Sequence, residues 1–227
     1  LRGEDVKHAR DVLRLLPADL IIVSDGSGTD FVARVEAIGE KEITATILEE
    51  KKRAEVGPRV WLFQGFAKGA KMDLIVRQAT EIGVSQLVPV FTERSVVHLG
   101  PEERKRRVAR WQKIAVEASK QSQRSYLPKI HEPKNWQEAI SLLGDFDLVV
   151  VPWEEERERS LKNTLKAYSR KWERVAVVIG PEGGFTRAEV SELDNLGGVP
   201  VSLGQNVLRT ETASLVALAI LFYELGQ

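Results

Sequence analysis

Val175-Ala176-Val177-Val178-Ile179-Gly180-Pro181-Glu182-Gly183-Gly184-Phe185-Thr186-Arg187-Ala188-Glu189 decides the fold. Five β-branched or small apolar residues run straight into a loop with three glycines. Thr186 and Glu189 then stand at the spacing of a capping box, in which the Thr hydroxyl accepts from a helix N–H and the Glu reaches back. This is a buried strand, a tight loop and a helix start in fifteen residues. Glu189 is thereby read as structural. A helix start does not need three glycines, but a ligand approaching the backbone closely does.

The same rhythm extends on both sides. Val60–Phe63, Leu87–Phe91, Leu148–Val151 and Val199–Leu203 are further apolar runs that read as buried parallel strands. Helical patterns over Lys71–Ile82, Glu102–Gln123, Trp136–Leu143, Glu158–Lys171, Arg187–Leu196 and Val207–Leu225 alternate with them. Alternating strands and helices predict an α/β fold with a mostly parallel sheet over residues 58–227. Residues 1–57 differ. After a helical start near Lys7 to Leu15, short β-branched runs at Leu20–Val23, Phe31–Ile38 and Glu42–Leu48 are broken by Asp25-Gly26-Ser27-Gly28 and Gly39-Glu40, which predicts a small barrel. The charged Lys51-Lys52-Arg53 and the break at Gly57-Pro58 mark the boundary.

A second loop, Leu203-Gly204-Gln205-Asn206-Val207-Leu208-Arg209-Thr210-Glu211-Thr212-Ala213, follows a strand and opens the last helix. Both loops sit at carboxyl ends of predicted parallel strands, where ligand crevices form in open α/β sheets. Arg209 and Glu211 are costly to bury beside so apolar a helix without partners; an internal ion pair is the structural alternative. Leu215 to Phe222 is apolar all round and expected to be buried, in the core or against a second subunit.

Composition narrows the chemistry. The 227 residues are 43% hydrophobic and 29% charged, as in an ordinary globular protein. With no cysteine, disulfides, thiolate metal sites and cysteine nucleophiles are excluded. His8, His98 and His131 are far apart and form no metal-binding motif, so no metal is expected. The run Leu215–Tyr223 is too short to span a bilayer, and neither a membrane span nor a signal peptide is read; Leu1 stands where a start Met would, as if the start were missing or trimmed. Cytoplasmic is the default location. Net charge is zero, yet residues 58–134 hold 15 Lys/Arg against 7 Asp/Glu, a local excess that suits an anionic partner or a solvated helix face. Gly65 to Lys71 fails the spacing of a phosphate-binding loop. Glu154-Glu155-Glu156 reads as a solvated turn rather than metal ligands, although Trp153 and Glu154 end a strand and can border a ligand.

The two loops together resemble the RsmE family, whose members methylate N3 of a uridine in small-subunit (16S) ribosomal RNA. Three further stretches match in order: His8-Ala9-Arg10-Asp11-Val12-Leu13-Arg14; Lys71 through Arg94 with Gln78-Ala79-Thr80-Glu81-Ile82-Gly83-Val84; and Glu117-Ala118-Ser119-Lys120-Gln121-Ser122-Gln123-Arg124. The resemblance implies a SPOUT-type α/β domain with a deep trefoil knot, a PUA-like β-barrel at the N-terminus and a homodimer. Spacing could not have given the knot, since knots are rare. Members carry a further strand before His8, so the barrel is expected to be short of an element. The implied cofactor is S-adenosylmethionine, held by Gly180, Pro181, Glu182, Gly183, Gly184, Leu203, Gly204, Val207, Leu208, Thr212 and Ala213. Arg209 is expected to stabilise the anion developing on the base, and Glu211 to orient Arg209 or take the proton. RNA contacts are expected from His8, Arg10 and Arg14 of the barrel, and from Arg77, Arg94, Arg104, Arg106, Arg107, Gln121 and Arg124. The implied partner is 16S rRNA within the small ribosomal subunit. A SPOUT enzyme acting on another RNA or on a ribose 2′-hydroxyl is the alternative, and a non-catalytic RNA-binding assembly protein the reading from another class.

Overall fold

The computed structural model describes residues 1–54, 57–95, 99–167 and 171–226. The chain divides into two compact units, Leu1–Glu55 and Val56–Gln227. His98 and positions 168–170, inside the helix expected over Glu158–Lys171, lie outside the described residues.

In the first unit, α1 (Glu4–Lys7) runs into a single π turn, His8–Val12, closed by Leu13 N–H donating to His8 O at 3.0 Å. The helical start thus lies three residues earlier than the stretch near Lys7 to Leu15 that the sequence predicts, and its second half is wider. It is followed by β1 (Leu20–Ser24), β2 (Thr29–Ile38) and β3 (Ile43–Lys52). These pair antiparallel in the order β1-β2-β3, with register shifts at Val32/Ala33 and Val35/Ala37 that curve the sheet. An isolated bridge from Arg2 to Glu42 brings in the N-terminal residues. Val6, Ala9, Val35 and Ile43 form its small core. Lys51 and Lys52, read as linker, continue β3, pairing with Asp30 and Thr29.

The second unit comprises β4 (Arg59–Gly65), α2 (Lys71–Ile82), β5 (Gln86–Phe91), α3 (Pro101–Gln121), β6 (Lys129–Ile130), β7 (Lys134–Asn135), α4 (Trp136–Ile140), β8 (Leu148–Pro152), α5 (Leu161–Ala167), β9 (Arg174–Ile179), α6 (Arg187–Asn195), β10 (Gly198–Val201) and α7 (Thr210–Glu224). Its seven-stranded sheet is parallel at every pairing and ordered β10-β8-β9-β4-β5-β6, with β7 also on β5. The mostly parallel α/β sheet expected from the sequence is therefore present.

Alternation along each strand explains why the strands read as unbroken apolar runs. Val175, Val177 and Ile179 of β9 face one layer, where Met72 and Val76 of α2, Trp111 of α3, Leu161 of α5 and Leu218 of α7 pack. Ala176 and Val178 face the other, with Ile140 of α4 and Val190 and Leu193 of α6. Both faces are covered, so a polar residue on either face of a strand must find a hydrogen-bond partner inside the protein. After β10 the chain turns back past the ends of β8 and β9, and α7 begins beside β4, on the helical layer that holds α2 and α5.

Candidate functional site

The carboxyl ends of β8 and β9 and the segment after β10 enclose a cleft of about 290 Å³. That is near the lower end of the size range of small-molecule sites. Its walls are residues 152–154 with Arg157, 179–185, and 202–204 with 206–210 and Ala213; Lys71 closes one side. Two glycines are required, Gly65 by the backbone that lies against it and Gly184 by its own conformation. A Cβ on Gly65 would sit 2.6 Å from the Gly180 carbonyl carbon, so β4 must end in glycine for the loop to cross it. Gly184 has φ +68°, and a Cβ there would run into the Glu154 carboxylate.

A fully buried polar network fixes α7 to this crossing. Gln64 Nε2 donates to Thr210 Oγ1 at 2.9 Å, and Thr210 Oγ1 donates to Gly180 O at 2.6 Å. Ser214 Oγ lies 2.5 Å from Gln64 Oε1 and 2.8 Å from Thr210 O. The loop-bearing strand β9, the central strand β4 and the start of α7 thus share one set of hydrogen bonds. Sequence reasoning missed Gln64, Thr210 and Ser214. Their one signal was polarity at core positions, which gives no partner.

The loop is also clasped from outside. Thr186 and Glu189 form the expected capping box on α6, and Glu189 is only 5% exposed. Its second oxygen accepts the Glu93 N–H at 2.8 Å. The turn at Thr92–Ser95 is in this way tied to the cap, and Arg94 Nη1 donates to Gly183 O at 2.8 Å. On the other side Glu182 accepts from Lys68 N–H and Lys71 Nζ, each at 3.0 Å. Burial opposes ionisation of Glu182, but these hydrogen bonds and that from its own N–H outweigh it and hold its pKa below the usual carboxylate value.

Of the residues expected to hold a cofactor, all but Thr212 line the cleft; Thr212 is exposed on α7 outside it. Arg209 is the N-cap of α7 and lines the cleft with its side chain exposed. Glu211 does not line the cleft. Its Oε2 is buried without a hydrogen-bond partner, and among the described residues no ion pair joins it to Arg209. What it has is a place in the first turn of α7, where a carboxylate complements the helix dipole.

The residues expected to meet RNA, besides Arg94, fall into four groups. Arg77 and Arg106 are exposed on α2 and α3. Arg104 and Arg107 are half-buried, stacked over Phe91 at 5.1 Å and Phe66 at 5.8 Å, and Arg107 also pairs with Glu103 at 2.9 Å. Arg124 donates to the carbonyls of Thr80, Val84 and Gly83 at 2.6, 3.1 and 3.2 Å, closing the end of α2, while Gln121 is exposed at the end of α3. In the first unit His8, Arg10 and Arg14 are exposed, with Arg10 paired to Asp11 at 2.7 Å.

The cleft carries hydrogen-bonding capacity that the chain does not use. Among the described residues, the backbone groups of Gln205, Asn206, Val207 and Leu208 make no hydrogen bond within the chain. The Trp153 indole N–H in the wall is buried without a partner. Glu154, Arg157 and Arg209 add one negative and two positive charges to the lining. A nucleoside carrying a charged amino-acid tail fits such a donor and acceptor set.

Two family models match the chain: the RNA methyltransferase domain over residues 55–222 and the RNA methyltransferase PUA domain over residues 1–48. Ribosomal RNA small subunit methyltransferase E of Bacillus subtilis is 33% identical, the alignment covering 99% of this chain and 89% of that one. The protein of the same name from Aquifex aeolicus is 32% identical, with 97% and 92% covered. The crystal structure of ribosomal RNA small subunit methyltransferase E from Neisseria gonorrhoeae bound to S-adenosyl methionine superposes with a TM-score of 0.86 at 29% identity, covering 98% of this chain and 90% of that one. With a SPOUT-type α/β domain, a PUA unit and relatives aligned over nearly its whole length, the chain belongs to the RNA methyltransferase family that includes ribosomal RNA small subunit methyltransferase E.

Proposed function

We propose that the protein transfers a methyl group from S-adenosylmethionine to N3 of a uridine in the 16S RNA of the small ribosomal subunit. The observation that carries this reading is the cleft between the Gly180–Gly184 and Leu203–Ala213 loops, with its unused backbone groups, in a chain alike over its length to enzymes named for that RNA. Gly180, Pro181, Gly183, Gly184, Leu203, Gly204, Val207, Leu208 and Ala213 would hold the donor, and Glu182 would keep its loop in place through Lys68 and Lys71. When bound, the donor supplies an electrophilic methyl group on a sulfonium.

The chain's own contribution is positioning and charge. Uridine N3 carries a proton and attacks usefully only as that proton leaves, so negative charge builds on the imide. Arg209, exposed at the start of α7 on the rim of the cleft, keeps its charge whatever its surroundings and would stabilise that anion. Glu211 acts on the start of α7 rather than on the base. Arg77, Arg94, Arg104, Arg106 and Arg107 with Gln121 would meet phosphates, as would His8, Arg10 and Arg14 from a separate RNA-binding unit at residues 1–57. Arg124 would support them by holding the end of α2.

Two copies are proposed to pair through α7. Its core-facing residues Ala217, Leu218 and Leu221 are buried, but Val216 is partly exposed and Ala219 and Tyr223 are exposed, and at three- and four-residue spacing they form an apolar stripe. Light scattering is expected to give twice the 25.4 kDa chain mass. No helix among the described residues is long and apolar enough to cross a membrane, and the cytoplasm is where such a substrate would be met. The decisive experiment is donor-dependent methylation of ribosomal RNA and of intact small subunits, with the product nucleoside identified by mass spectrometry. 3-Methyluridine is expected; a 2′-O-methylated nucleoside, or no product, would overturn the reading.

A further inference from the structure

Five charged side chains line the cleft: Lys71, Glu154, Arg157, Glu182 and Arg209. Lys71 and Glu182 neutralise each other at 3.0 Å. Of the two carboxylates, Glu154 alone has no hydrogen-bond or ion-pair partner among the described residues. Its neighbours in the acidic run are engaged away from the cleft. Glu155 pairs with Arg187 at 2.7 Å, and Glu156 accepts the N–H groups of Glu158 and Arg159 at 2.7 and 3.0 Å. The turn is held in place by Trp153 N–H donating to Val201 O at 3.0 Å. It sets Glu154 against the backbone of Gly184, at the loop where any β-carbon would collide with its carboxylate.

A carboxylate at the wall of a narrow cleft, with no ion pair to the arginines that share the lining, favours a ligand bearing positive charge, because charge-assisted hydrogen bonds are the strong ones. We propose that Glu154 is the counter-ion for the positive charge of the methyl donor. This rests on the donor reading above and extends it to a residue that the family motifs around the two glycine loops do not include. The donor carries two positive groups, a sulfonium and an α-ammonium, and Glu154 would serve either by the same chemistry.

Calorimetric titration of the unmodified protein and of Glu154→Gln with three ligands tests this without turnover. The ligands are S-adenosylmethionine, S-adenosylhomocysteine, which lacks the sulfonium, and 5′-methylthioadenosine, which lacks both charges. Glu154→Gln is expected to weaken S-adenosylmethionine about tenfold or more, the loss expected for a hydrogen bond to a charged group. Methylthioadenosine is expected to change less than about twofold, as no charged contact is removed. If S-adenosylhomocysteine weakens in parallel with S-adenosylmethionine, the α-ammonium is the partner; if it holds, the sulfonium is. Glu154→Asp, which keeps the charge, is expected to lie between, and an unchanged melting temperature would show that the fold is intact. Unchanged affinity for S-adenosylmethionine, or equal weakening of all three ligands, would overturn the proposal. An unmodified protein that binds none of the three would instead overturn the donor reading itself.

Discussion

Arg209 and Glu211 are two residues apart in one motif, yet the fold separates them. Arg209 caps α7 at the cleft, while Glu211 turns into the first turn of the helix and leaves one oxygen buried without a partner. If Arg209 stabilises charge that develops only in the transition state, Arg209→Ala should lower kcat by about 10²–10³-fold, the usual cost of losing one such donor. Donor affinity, read by calorimetry, should stay within about threefold, since an effect confined to the transition state does not appear in ground-state binding. A loss carried wholly in KM would instead make Arg209 a binding group. Residue roles of this kind were legible where the determinant is local. Glu189 was readable as a cap because Thr186 stands three positions before it, whereas its bond to Glu93 spans 96 residues. The Gln64–Thr210 bond spans 146, and nothing at either position in the sequence announces the other. Arg124 shows the opposite case: a basic residue in a matching stretch suggests RNA, and the pattern does not announce the bonds its guanidinium makes to the carbonyls of Thr80, Gly83 and Val84.

Elements follow the same division. The bounds of α2, Lys71–Ile82, are those its pattern predicts, because an apolar stripe and Gly83 at its end are both local signals. α7 starts at Thr210 rather than Val207: the three residues before it line the cleft outside the helix, and Thr210 itself is held by the polar network, which no periodicity encodes. β6 and β7 are two residues each, too short to carry alternation, and exist only because β5 has a free edge. Between elements, the clasp of Glu189 on the 92–95 turn is the testable case. Glu189→Ala removes the reciprocal half of the capping box and leaves the N–H groups of Thr186 and Glu93 without their acceptor. Arg94 would then lose its fixed approach to Gly183 O. The expected result is a lower melting temperature together with severalfold weaker donor binding. Glu189→Gln keeps one of the two acceptor oxygens and places an amide NH2 at the other, so it should restore only part of the binding. Equal donor affinity in the unmodified protein and Glu189→Ala would show that the clasp supports the fold but not the loop.

At the scale of the whole molecule, the sequence showed an α/β domain after a β-rich unit, because the hydrophobic period changes near Pro58. It could not show strand order, since β8, β9 and β4 are adjacent only through crossovers that pattern does not record. It did place the ligand loops at the carboxyl ends of the strands, but it could not place His131. The cleft occupies the carboxyl ends of the strands, while His131 lies near the opposite end, with Nε2 2.5 Å from Gln86 Oε1 and its ring against Trp61. Burial, then the charges of Lys129 and Lys134, push its pKa from 6.5 down to about 4. The unfolded chain therefore takes up a proton between these values that the folded chain refuses, so stability must fall as pH drops from 6.5 toward 4 and level off below. The depressed carboxylate of Asp25, near 2 from 3.8 through hydrogen bonds from Ser27 and Thr29, loses its contribution only at lower pH, so the two windows are separate. Denaturant midpoints measured from about pH 7 to pH 5, above the carboxylate range, should decline in the unmodified protein and decline less in His131→Asn. Donor affinity should show no matching His131-dependent change, because the histidine and the cleft stand at opposite ends of the strands. A pH slope identical in the two proteins would mean that His131 titrates freely in the fold, and that the acid sensitivity of the sheet arises elsewhere.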